Sequence, residues 1–394
     1  MSEKRISRRA MLGGIAALGV AAGPGKALAT THTFSPVQRD FSDPYLELIR
    51  LLKEGAEIEH DLMVQYLYGA FSLKPTYAGV FGAPVPNATT LMGVIVEEMR
   101  HLAAVNRLLV ELEAKPVLSR QDFPYETDVY PFPFEMAALG QNNLAKFVYC
   151  EADKTRLKHA RSTVDDSYLL DKLKGTLGPS LVPNHVGSLY DAIIETILEV
   201  KKAGGVKLDY DAWYEGLGNI KADGEFGHFK FFTSLYEGTH PLLRDVSGVW
   251  DLPASDERHP CYAVPVNPTA YEGRPNVIKD PDLRSLAWLG NLNYWSQLVL
   301  LDTGYRHKSK FEPALAQAIM MGPLLSIAQY LPTKGAAVPF DPLSMGFDPG
   351  LNEAAARRFT RKMLTETRDY ARSIDKLLPG NFDLKIYDQL ISQV

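Results

Sequence analysis

Two Glu-x-x-His tetrads, Glu98-Met99-Arg100-His101 and Glu225-Phe226-Gly227-His228, lie in separate amphipathic segments of this chain. On a helix, that spacing projects a carboxylate and an imidazole from one face. Two such helices packed together would converge four ligands on a shared core. Four-helix carboxylate sites complete the set with one Glu from each of two further helices. Oxygen and nitrogen donors of this kind suit iron or manganese better than copper, and they leave positions open for dioxygen or a substrate.

The spacing alone is cheap, because a third match, Glu237-Gly238-Thr239-His240, occurs where Gly238 and Pro241 end a helix. The other two are distinguished by phase. Leu91, Val94, Ile95, Leu102, Val105 and Leu109 form an apolar stripe that contains Glu98 and His101, and Glu97 points elsewhere. Leu217, Phe232, Leu235 and Tyr236 share a stripe with Glu225 and His228. Carboxylates at apolar positions are costly to bury unless paired or bound to metal. A Glu–His hydrogen bond within each helix is the plain structural alternative.

A third helix, spanning Pro44 to Leu73, repeats apolar residues at Leu48, Leu51, Leu52, Ile58, Leu62 and Tyr66. Glu59 is in phase with them. His60 lies about 100° around the helix, as a surface or supporting histidine would. The remaining carboxylate has two candidates. Glu151 follows Leu144, Phe147 and Val148 on one face. Asp191 and Glu195, with Ser188, Glu199 and Lys202, instead form a row typical of a solvated face, on a helix expected to run antiparallel to the Glu225 helix.

In this order, the segments AEIEHDLMVQYLYGAF, VIVEEMRHLAAVNRLLVEL, FVYCEAD, NHVGSLYDAI and DGEFGHFKFF resemble the ferritin-like domain of the iminophenylpyruvate dimer synthase type, found in bisindole pigment pathways. The similarity continues into LGNLNYWSQLVLLDTG and MMGPLLSIAQYLPT, so it runs from about Asp43 to Leu331. It implies an all-α, ferritin-like four-helix bundle holding two iron ions, with manganese as the alternative. It assigns metal-ligand roles to Glu59, Glu98, His101, Glu151, Glu225 and His228. The implied chemistry is oxidation or coupling, by dioxygen, of a small amine or imino acid, aromatic in the family. One departure is Ser188, where family members often carry an acidic residue.

At the N-terminus, Ser7-Arg8-Arg9 precedes a short apolar run and Ala27-Leu28-Ala29. This pattern predicts a twin-arginine signal over residues 1–29, cleavage after Ala29, engagement of the twin-arginine export machinery and a periplasmic or secreted location. The apolar run is too short for a permanent membrane anchor, and no other stretch reads as long enough to span a bilayer. Removing residues 1–29 takes away five basic residues and one acid and moves the net charge from −5 to −9, which with no basic patch excludes nucleic acid as a partner. Cys150 and Cys261 form no CxxC or CxxH cluster, so zinc-ribbon and thioredoxin readings fail. Their pairing is left open.

The bundle is expected over residues 43–240, and residues 241–394 are expected to pack on it within the same domain. Residues 241–282 hold seven prolines and read as an ordered Pro-rich excursion that covers the metal site. Additional C-terminal helices are predicted at 282–305, 313–331 and 352–377. Three readings follow. The first is an exported di-metal oxidoreductase with a small-molecule substrate and dioxygen as partners, compatible with an oligomer. The second is a ferroxidase or peroxide-scavenging bundle. The third is a metal-free interaction module.

Overall fold

Helix α1, Pro44–Phe71, is the rod on which the molecule is built. Asp43 caps it by accepting from the Tyr45 and Leu46 amides, and Pro44 occupies its first turn, where no amide donor is needed. Its predicted stripe is buried, and so is most of the rest of its circumference, because neighbours approach from several sides. The computed structural model describes residues 37–82, 90–121, 130–153, 164–178, 186–343 and 352–394. The predicted export signal lies outside them.

After a short helix, α2 (Ala78–Phe81), the chain forms α3 (Leu91–Glu111), capped by Thr90 and packed along α1. Then come α4 (Gln141–Glu151), α5 (Val164–Leu177), α6 (Val186–Ala203) and α7 (Tyr210–Ala222). A π-helical turn at Asp223–His228 leads from α7 directly into α8 (Phe229–Tyr236). Together α7, the π turn and α8 make one continuous rod. The leg beside it is split: α6 packs along α7 and α1, while α4 packs along α8. The bundle is therefore α1, α3, the α7–α8 rod and a leg made of two half-helices, whose facing ends meet at the π turn. Among the described residues there is no strand, only two isolated bridges.

The excursion after Tyr236 is pinned to the far end of α1. Lys74 N donates to Pro260 O, Tyr262 N to Ser72 O and the Tyr77 hydroxyl to Arg258 O. It does not cover the candidate site, since none of its residues lines the cavity beside Glu59. Beyond it, α9 (Pro281–Arg306) packs on α3 and carries α10 (Phe311–Ile319), α11 (Leu325–Tyr330) and α12 (Glu353–Ser373), with α13 (Lys385–Gln393) against α12. The expectation of no further membrane-length stretch needs correction. Phe311–Lys334 is long and apolar enough by length and composition, but Pro323 sits in a π turn within it and 56% of its most apolar window is buried. Cys150 and Cys261 are both buried free thiols.

Gly304 shows how closely α9 meets α10. A Cβ there would lie 2.5 Å from Cδ and 2.8 Å from Cγ of the rigid Pro313 ring. We expect Gly304→Ala to cost about 1–3 kcal/mol through overpacking, read as a lower urea midpoint with helix content unchanged.

Candidate metal centre

α1 and α3 place Glu59, Glu98 and His101 together, and α3, α4 and the π turn place Glu98, Glu151 and His228 together. In each triad one potential ligand atom per residue lies within 4.8 Å of the others, and all five residues are buried. Glu98 belongs to both. Its Oε2 is 3.4 Å from His101 Nδ1 and its Oε1 is 2.8 Å from His228 Nδ1. Glu59 Oε2 stands 3.7 Å from His101 Nδ1, and Glu151 Oε1 stands 3.6 Å from His228 Nδ1.

The outer atoms of these ligands are held from behind. His101 Nε2 faces Asp223 Oδ2 at 3.3 Å, and His228 Nε2 faces Glu97 Oε2 at 2.8 Å. A carboxylate on one imidazole nitrogen fixes the ring and turns the other nitrogen toward a metal. The buried Tyr66 hydroxyl donates to Glu151 Oε1 at 2.6 Å, and the Tyr190 hydroxyl donates to Glu59 Oε1. Glu59 Oε2 and His228 Nδ1 remain buried without a directed hydrogen bond, although both face the interior. Buried polar atoms are rarely left so. Their convergence with a shared carboxylate is what a pair of hard or borderline cations requires, so these residues fit a metal centre.

The π turn explains Glu225. A π turn contains more residues than an α turn, so residues three apart lose their common line. His228 enters the centre while Glu225 lines the same cavity from its wall, in neither triad, 3.5 Å from Lys221 Nζ. Lys221 is itself held by Asp191 at 2.7 Å. Glu195 is exposed on α6, whereas Glu151, at the end of α4, is buried in the second triad. Ser188 is fully buried, not part of a solvated row. His60 is also buried, bonded through Nε2 to the Tyr294 hydroxyl at 2.8 Å. Of the third tetrad, Gly238 takes φ 68° beyond the end of α8, and His240 packs edge-on to Phe231. By helical phase Glu97 points away from the stripe, and Asp223 belongs to neither tetrad; the signals for them in the sequence are that Glu97 adjoins Glu98 and that Asp223 lies two residues before Glu225.

Charge inside the site is tightly balanced. Burial and the neighbouring Glu98 carboxylate raise the Glu59 carboxyl to about 8. Burial would also raise Glu98, but His228 and His101 outweigh it and hold Glu98 well below the usual range. Burial opposes protonation of both imidazoles. Hydrogen bonds to Asp223, Glu59 and Glu98 nevertheless carry His101 well above its ordinary value, and the Glu98 and Glu151 carboxylates do so for His228.

Metal must displace protons from these groups, so loading should release protons and tighten as pH rises. Manganese titrations at pH 6, 7 and 8 in buffers of different ionisation enthalpy should show both effects, and a flat pH response would contradict this balance. Gly224 gives a second check. A Cβ there would lie 2.8 Å from Glu151 Oε2. Gly224→Ala should weaken metal binding by about tenfold or more, the scale seen when ligand support is disturbed, with helix content unchanged.

Residues 52–237 match the family model described as Ferritin-like. The dichlorochromopyrrolate synthase of Lentzea aerocolonigenes is 25% identical over 353 residues, covering 73% of this chain and 34% of that protein. The chain thus spans about a third of the length of this relative. No solved structure matches.

Proposed function

With residues 52–237 forming a ferritin-like domain, we propose that this chain is a two-metal, dioxygen-using oxidoreductase acting on a small aromatic amine or imino acid. The single observation that carries the reading is Glu98, a buried carboxylate shared by two Glu/His triads. The named relative, a synthase whose product name denotes a pyrrole carboxylate, supports an aromatic acid as the substrate class.

Ferrous ions, when bound, supply the electrons that reduce dioxygen. The chain's own residues do the remaining work. Glu98 holds the two triads in one unit, with Glu59 and Glu151 at the outer positions. Tyr190 donates to Glu59 Oε1 and leaves Oε2 toward His101, while Tyr66 donates to Glu151 Oε1, the oxygen nearest His228, and so fixes the orientation of that carboxylate. Asp223 and Glu97 orient the imidazoles. Leu62, Val186 and Ile220 line the cavity and restrict water. That cavity, ≈ 20 Å³, is on the scale of a single water. An organic substrate therefore needs the Lys221–Glu225 wall to move. Export by the twin-arginine route is part of the proposal and rests on Arg8-Arg9 and Ala27-Leu28-Ala29.

Metal analysis after anaerobic ferrous loading should find two ions per chain. Glu98→Ala should lose both, whereas His228→Ala should lose mainly one. Exposure to oxygen should then consume an aromatic amine or imino acid. Iron turnover without loss of any such compound would favour a ferroxidase or peroxide-scavenging role. Failure to retain metal, with Glu98→Ala indistinguishable from the parent chain, would leave the metal-free interaction module.

A further inference from the structure

A second cavity, ≈ 380 Å³, opens between residues 115–120, α9 and Pro342, and it shares no lining residue with the metal cavity. Its size falls at the lower end of small-molecule sites, about 300–1,000 Å³. Val117, Leu118, Leu298 and Leu343 give it apolar walls. Arg120 and the Tyr294 hydroxyl give it a polar end.

Arg120 is aimed there by its neighbours. Ser119 Oγ and Gln121 Nε2 both donate to Glu57, at 2.7 and 2.6 Å, which occupies both oxygens of that carboxylate and leaves Arg120 facing the cavity. Its guanidinium carbon lies 4.5 Å from the centre of the Phe134 ring and 5.8 Å from that of Tyr294. Nη1 donates to the Tyr294 hydroxyl at 3.3 Å, and that hydroxyl is tied to His60 Nε2 at 2.8 Å. Nε is buried with no hydrogen-bond acceptor. Among the described residues no carboxylate pairs with Arg120. The nearby acid in the same wall, Asp302, is bound to Arg306 at 2.8 Å.

A guanidinium held over aromatic rings, in the wall of a cavity whose other sides are largely apolar, suits a small anion with an apolar body. The guanidinium fork fits a carboxylate, and the walls fit a flat apolar body. We propose that this cavity binds a small organic carboxylate, with Arg120 as the anion-recognising residue and Tyr294 as the group that holds its guanidinium in place. The site does not depend on metal.

Calorimetric titration with benzoate of the chain as purified and of the manganese-loaded chain, each checked for native helix content by circular dichroism, tests the proposal. Saturable one-to-one binding is expected, at least tenfold weaker for benzyl alcohol, which has a similar shape without the charge. Arg120→Gln should weaken benzoate binding at least tenfold while circular dichroism and the urea midpoint stay near those of the parent. Val117→Trp, which fills the cavity and keeps Arg120, should abolish binding too. A pentapeptide ending in phenylalanine with a free carboxylate should compete at least tenfold more weakly than benzoate. Equal competition would assign the cavity to a chain terminus and overturn the small-molecule proposal. Absence of saturable benzoate binding, or equal affinity of the parent and Arg120→Gln, would also overturn it.

Discussion

Glu98 is a carboxylate almost wholly removed from water, with an imidazole on each side, and the bundle is arranged around that fact. An isolated buried carboxylate is costly, and breaking a buried ion pair by removing one partner costs more than the pair contributes. Two further carboxylates, Glu59 and Glu151, share the same interior. The arrangement is tenable only because each charge has a specific partner. Asp223 and Glu97 stand behind the imidazoles, and Tyr190 and Tyr66 donate to the outer carboxylates. A centre so constructed is held by a fixed network of donors and opposed charges, not by apolar packing.

The backbone makes two concessions to this network. One leg of the bundle is split into α4 and α6, whose facing ends bring Glu151 of α4 and Val186 and Gly187 of α6 to the wall of one cavity. The opposite rod widens into a π turn at the same level. Gly224 in that turn leaves room for the Glu151 carboxylate, since any side chain there would strike it. π turns inside helices are frequent at functional sites because the inserted residue re-aims those after it. Here it sends His228 into the centre and leaves Glu225 with Lys221 on the wall.

The segments beyond the bundle serve different ends. The Pro-rich excursion buttresses the far end of α1 through backbone hydrogen bonds, as a segment poor in regular structure must if its polar groups are to be satisfied. α9 contributes Tyr294, which reaches His60 on α1 and so joins the C-terminal helices to the residue next to Glu59. Arg120 and the cavity it faces lie on the outer side of that connection.

The helical period was sufficient to find α1 and α3 and to put Glu59, Glu98 and His101 on inward faces, because the residues concerned lie within uninterrupted α-helix, where sequence spacing maps directly onto angle. The same rule puts Glu225 on a face with His228; both line one cavity, but the π turn changes the angle per residue, and Glu225 stands on the wall beside Lys221, outside the two triads. The choice between Glu151 and Glu195 was open in the sequence, where both lie on amphipathic helices. Tertiary structure separates their positions, as the split leg buries the end of α4 with Glu151 against the π turn and leaves Glu195 in solvent. The contacts of Glu97 and Asp223 with the imidazoles and the full burial of Ser188 are not legible in helical phase for a related reason. A one-helix pattern says which side is apolar, but only the packed neighbours decide which polar atoms face one another.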